Sequence, residues 1–279
     1  NEAHDWIRQR SEEFVQFPAI GSKQKSEKET IFEEYSSGLK TNRDVWVYNF
    51  SKTDLEGNMC RMIDEFNRYV DLVRVGEITQ DNIESKISND PKKIAWSGDL
   101  KTKLLRSTSS YAFEKAGMVY LSMYRPFVKS WVYFSRVFNN SIYLLPTIFP
   151  EPGIENFAIA VQAPGGTKDF STLIIKYITD IHLIGDTQTF PLYTYEPVRD
   201  DDVLAGHMDD ETIITSPSGK QYIRRENITN WALREYRKRY GEEVTKKDIF
   251  YYVYGLLHSP EYRERYKDDL KKVLPRIPF

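Results

Sequence analysis

The densest store of chemically useful side chains in this sequence is cationic. Between residues 91 and 136 stand Lys92, Lys93, Lys101, Lys103, Arg106, Lys115, Arg125, Lys129 and Arg136, opposed only by Asp99 and Glu114. That segment carries +7 in a chain of formal charge −2, which leaves −9 for the remainder. Such separation lets a protein hold a polyanion on one face and stay dispersed through the others. Each neutralised phosphate releases condensed counterions, so binding of this kind is salt-sensitive. Trp96, Tyr111, Phe113, Trp131, Asn139 and Asn140 are interleaved with the cations, and asparagine and arginine are side chains that read base edges in a groove. Composition leaves one alternative open: a solvated strand face whose cations pair with acids elsewhere. A second cluster, Arg234, Arg237, Lys238 and Arg239, is followed at once by Glu242 and Glu243 and reads as a solvated helix face.

Other chemistries find little support. The chain has no G-x-x-x-x-G-K-[ST] phosphate loop, G-x-G-x-x-G, G-x-S-x-G or H-E-x-x-H. Gly165-Gly166-Thr167-Lys168 could offer backbone N–H groups to a phosphate, but a hairpin turn is the simpler reading. Glu84-Ser85-Lys86 could be half of a metal-nuclease site with Asp71 or Asp81 as the first acid, yet the segment reads as polar helix or loop. Cys60 is the single cysteine, so neither an internal disulfide nor a Cys-rich zinc site is possible. Its neighbours Met59 and Met62 suggest a buried structural thiol. The four histidines are scattered, and His182 and His258 read as structural. No apolar run is long enough to span a bilayer and no signal segment opens the chain; the expectation is a cytoplasmic module without a membrane partner. The missing initiator Met suggests a piece of a longer polypeptide.

The elements that must position these residues follow from periodicity. A short helix and an exposed loop are expected over residues 1–35, and a strand over Val45–Phe50. Leu55, Met59, Met62, Ile63, Phe66, Val70 and Val73, followed by Gly76, predict an amphipathic helix with a glycine stop. From about Lys93 come short aromatic and β-branched runs near Ile94, Tyr124, Trp131, Ile142, Phe157 and Leu173, separated by turn signals. Asp200 to Glu211 reads as a linker. In the tail, Thr229, Thr245 with Asp248, and Ser259-Pro260-Glu261 are helix starts. The divisions are residues 1–92, a β-rich 93–200, and 201–279. The fold class is α+β: a central, mostly antiparallel twisted sheet flanked by N-terminal and C-terminal helical parts.

Several stretches together resemble one family. They are Thr41-Asn42-Arg43-Asp44-Val45-Trp46-Val47-Tyr48-Asn49-Phe50, then Tyr124-Arg125-Pro126-Phe127-Val128-Lys129 leading to Trp131 and Tyr133, then Phe190-Pro191-Leu192-Tyr193. The run from Asp248 to Arg263 and the ending Leu274-Pro275-Arg276-Ile277-Pro278-Phe279 complete the set. In this order they are similar to the C-terminal specificity region of Type ISP restriction-modification enzymes, which are single polypeptides. The resemblance implies an upstream nuclease, a helicase-like motor and an adenine-N6 methyltransferase, with ATP, magnesium and S-adenosylmethionine used there. It implies no cofactor and no catalytic site in this chain, whose partners would be double-stranded DNA and those upstream domains. Recurrent residues such as Arg43 and Arg125 are expected to be architectural.

On that basis Lys101, Lys103, Arg106, Lys115, Lys129 and Lys168 are the expected phosphate anchors. Loops at strand ends, Arg136 to Ser141 with Asn139 and Asn140, are the expected base readers. The competing expectations are a scaffold or coupling domain that barely touches DNA, and a stand-alone metal nuclease using Glu84 and Lys86.

Overall fold

The structure, a computed structural model, describes residues 11–24, 27, 29–165, 169–199 and 211–279. The chain forms two compact units, one of Leu39–Tyr143 and one of the described residues of Asn1–Gly38 with Leu144–Phe279. The class is α+β and the ladders between named strands within each unit are antiparallel. Instead of one central sheet, the strands are shared among small sheets. The sequence divisions at 92/93 and 200/201 mark changes of composition, whereas the chain passes from one compact unit to the other at 38/39 and 143/144.

In the 39–143 unit the main beam is the helix Lys52–Arg74. Ser51 caps it by accepting from the Asp54 N–H at 3.2 Å, and Gly76 (φ +78°) ends it. Leu55, Met59, Met62, Ile63, Phe66 and Val70 form its buried stripe, the face that three- and four-residue spacing requires. Cys60, one residue off that stripe, is exposed and not buried as its apolar neighbours suggested. Partial burial, then the carboxylates of Asp64, Glu114 and Glu56, hold its thiol above the ordinary pKa.

Beside this helix lies a hairpin, Met118–Arg125 and Val128–Phe134, in register from Met118↔Phe134 to Arg125↔Val128 with an irregularity between Met123 and Arg125. Tyr48–Asn49 adds to its second strand opposite Val132 and Trp131. Phe66 gathers the rings of Trp96, Tyr111 and Phe138 at 6.0, 5.9 and 5.3 Å. The run Val45–Phe50 is strand only at Tyr48–Asn49, because Asp44–Val47 makes a helical turn. The cause is side-chain capture: Thr41 Oγ1 donates to Asp44 Oδ1, and the Trp46 N–H bonds the Arg43 carbonyl at 2.9 Å. The run at Ile94 is irregular, and Leu100–Leu105 is a short helix with Leu100 and Leu104 inside.

The other unit holds two sheets. One is ordered Ser36–Ser37, Gln188–Pro191, Ala158–Val161, Thr172–Ile175; the other is ordered Glu211–Thr215, Gln221–Glu226, Tyr193–Pro197. The run at Ile142 is not a strand; a helical turn covers Leu145–Ile148. The linker expected at Asp200 lies outside the described residues up to 210. The hairpin after it, turning at Gly219 (φ +86°), is absent from the sequence reading of the tail. The helices Asn230–Tyr240, Lys246–His258 and Pro260–Arg265 start where expected. Thr229 caps Ala232, Thr245 and Asp248 form a full capping box, and Ser259 caps Tyr262. Phe32, Phe190, Ile228, Phe250, Val253 and Leu257 lie at the centre of this unit's core.

Candidate nucleic-acid interface

Every sequence-selected residue except Lys168 falls in the 39–143 unit; Lys168 lies outside the described residues. The unit is fastened by the Thr41–Asp44 segment. Arg43 is only 3% exposed and its guanidinium donates to three backbone carbonyls: Phe138 at 2.7 Å, Ala95 at 3.3 Å, and Ser97. Burial lowers its pKa to about 10 against the opposing pull of Asp99, which leaves it charged at neutral pH. Asp44 in turn accepts from the Tyr124 hydroxyl at 3.1 Å and lies 3.6 Å from Arg125, whose guanidinium stacks 3.9 Å over the Tyr124 ring. Arg43 and Arg125 are therefore architectural: they join the helical turn, the 95–98 loop, the 138–140 loop and the hairpin.

The selected cations divide into two groups. Lys101 ion-pairs with Glu84 at 2.5 Å. Lys103 donates to the carbonyls of Asn139 (2.6 Å) and Asn140 (3.3 Å) and pairs with Asp99 at 3.0 Å. Burial lowers its pKa, with Asp99 opposing and Arg43 adding to the shift. Both lysines spend their charge within the unit. Arg106, Lys115 and Arg136 are exposed and make no ion pair with a described residue, and the same holds for Lys92 and Lys93. Lys129 is exposed on the hairpin.

The expected base readers are also split. Asn139 is wholly buried, its Oδ1 accepting from the Ser135 N–H at 2.7 Å. Asn140 Oδ1 accepts from Asn42 Nδ2 at 3.0 Å and from the Asp99 N–H at 3.2 Å. A Cβ at Gly98 (φ +66°) would collide with these same amides. Both asparagines thus hold the loop in shape, and Arg136 is the side chain of that loop turned to solvent. Glu84, the nuclease candidate, is engaged by Lys101, while Asp71 pairs with Arg74 at 3.0 Å. Among the described residues no group of three or more His, Cys, Asp or Glu is arranged to hold a metal ion. In the other unit, Lys238 pairs with Glu235 and Arg239 covers the Phe279 ring, as suits a solvated helix face.

One exposed feature was absent from the selected sites. Phe127 sits at the hairpin tip, 85% exposed, with φ +61°. It occupies the second place of the two-residue Pro126–Phe127 turn, a place that type II turns reserve for glycine or asparagine. A bulky side chain there costs on the order of 1–2 kcal/mol. The signal was present: two strand-like runs separated by a Pro-x pair. Val45 (85% exposed) and Phe50 (72%) lie on either side of the Tyr48–Asn49 strand that pairs with this hairpin.

A family model for the Type ISP C-terminal specificity domain matches residues 30–279. Three solved structures are similar over the whole chain. The nuclease-deletion mutant of the Type ISP restriction-modification enzyme LlaGI, in complex with a DNA substrate mimic, is 33% identical over 99% of this chain, with TM-score 0.75. The ATP-dependent Type ISP enzyme LlaBIII bound to DNA is 32% identical over 100%, with TM-score 0.78. A DrdV–DNA complex is 28% identical over 99%, with TM-score 0.77. The chain spans 22%, 16% and 25% of those respective chains. No curated protein matches. Among the described residues no helix is long and apolar enough to cross a membrane. With the Arg43 clamp, the tail helices and the sequence motifs all falling inside the matched span, this chain belongs to the Type ISP C-terminal specificity domain family.

Proposed function

We propose that this chain recognises a specific sequence in double-stranded DNA for an ATP-dependent restriction-modification enzyme and so positions a fused adenine-N6 methyltransferase. The observation that carries the proposal is the match to a specificity domain along 30–279, with similar structures held on DNA. The exposed Lys92, Lys93, Arg106, Lys115 and Arg136, which make no ion pair with a described residue, supply what phosphate anchoring needs. Base reading falls to side chains at the solvent edge of the loops, Arg136 among them, because Asn139 and Asn140 hold the loop from within.

Cutting, translocation and methyl transfer belong to other parts of the polypeptide, which works in the cytoplasm. Neither a phosphate loop nor an Asn-Pro-Pro-Tyr motif occurs in these 279 residues, so ATP, magnesium and S-adenosylmethionine would be held elsewhere. The test is selection from random-sequence duplex DNA by the full-length polypeptide. Enrichment of one asymmetric site, lost when this region is exchanged for that of a relative, is the expected result. Enrichment that follows the upstream domains instead would make this chain a scaffold.

A further inference from the structure

The geometry points to Phe127 as an apolar wedge that enters the base stack of bound duplex DNA and kinks it. The inference rests on the DNA-recognition reading above and deepens it. A two-stranded ribbon ends in the Pro126–Phe127 turn, which places the ring at the apex of a protrusion. The ring is 85% exposed and lies in no aromatic pair among the described residues, while its backbone is held at φ +61°. At this exposure the ring adds little to the unit's core, and glycine or asparagine would suit the turn better. A side chain kept bare in a strained place is fitted to something outside the unit.

Charge favours DNA as that partner. From Met118 to Phe134 the hairpin contains Arg125 and Lys129 and no Asp or Glu. Arg125 is drawn back onto Tyr124 and Asp44, which stiffens the base of the tip. A ribbon of this size enters a DNA groove, and Phe is among the residues that wedge between base steps and bend the duplex. Val45 and Phe50, on either side of the Tyr48–Asn49 strand that pairs with the hairpin, are exposed apolar side chains as well.

The experiment uses the full-length polypeptide and the duplex enriched from random sequence, labelled at its two ends with a fluorescence energy-transfer pair. Binding of the wild type is expected to raise transfer, because a kink shortens the end-to-end distance. Phe127→Asn is expected to abolish that rise and weaken binding about tenfold, with the salt slope unchanged and a melting temperature no lower than wild type. Phe127→Leu, still an apolar wedge, is expected to retain most of the rise. Equal transfer and affinity for wild type and Phe127→Asn would overturn the wedge while leaving DNA recognition standing. So would a loss of domain docking in Phe127→Asn, seen as new protease cleavage, with DNA bending intact; that result would assign the tip to a protein partner. If no sequence is enriched, the DNA reading itself fails, and the wedge with it.

Discussion

Replacing Lys92, Lys93 and Arg106 together by glutamine separates exposed cations from those already satisfied inside the unit. These three make no ion pair with a described residue, so each is available to neutralise a phosphate. Each such contact contributes about 0.9 to the slope of log affinity against log salt, so losing all three lowers the slope by up to about 2.7. Between roughly 50 and 200 mM salt, the wild type should then lose about 40-fold more affinity than the variant. The contrasting pair is Lys101→Gln with Lys103→Gln. Lys101 is spent on Glu84, and Lys103 on Asp99 and two carbonyls, so this variant should keep the wild-type slope while unfolding at lower urea. Fluorescence anisotropy of the full-length polypeptide on a labelled duplex, titrated with salt, reads both. The reasoning fails if the Lys101/Lys103 pair flattens the salt dependence and the exposed trio does not.

Two further perturbations address the scaffold. Arg43→Met strands the carbonyls of Ala95, Ser97 and Phe138 without their shared donor and should cost about 3–5 kcal/mol; urea denaturation checks this, and a midpoint equal to wild type would show that the clamp is dispensable. Burial alone would raise the Glu151 pKa, but hydrogen bonds from Ser218, Ser216, Lys220 and Tyr222 bring it down to about 2. A depressed carboxylate stabilises the fold above its unfolded pKa and loses that contribution as pH falls toward the folded one. The stability gap between wild type and Glu151→Gln should therefore be widest above about pH 5, on the order of 3 kcal/mol, and shrink as pH falls toward 2; a gap independent of pH would contradict the assignment.

What was legible in the sequence was what local chemistry decides. The stripe from Leu55 to Val70 needs only helical periodicity, and the starts at Thr229, Thr245 and Ser259 need only a side chain three residues from its backbone partner. At Asp44–Val47 the Val, Trp and Tyr content favours a strand, whereas Thr41 and the Arg43 carbonyl impose a helical turn. At Cys60 the apolar neighbours suggest burial, but the angle decides: one residue from Met59 is 100° around the helix. The hairpin Glu211–Glu226 was hidden because its first strand alternates weakly and follows an acidic stretch.

The candidate site is harder to read from sequence for a different reason. Charge density along a chain records how many cations there are, not whether each has an acid or a carbonyl within reach. Lys103 and Arg106 are three residues apart on one short helical segment, yet one is enclosed by Asp99 and the 139–140 carbonyls while the other faces solvent. The asparagines misled in the same way, since an amide suited to a base edge is equally suited to closing a loop, and Asn139 and Asn140 do the latter. Arg43 links these facts. By drawing three carbonyls onto one planar cation it fixes the loops from which Arg136 projects, as a fork-shaped donor can and a lysine cannot. Arg43, Asn139 and Asn140 thus build the platform, and under the proposed function the reading of bases falls to solvent-facing side chains such as Arg136, which no motif announces.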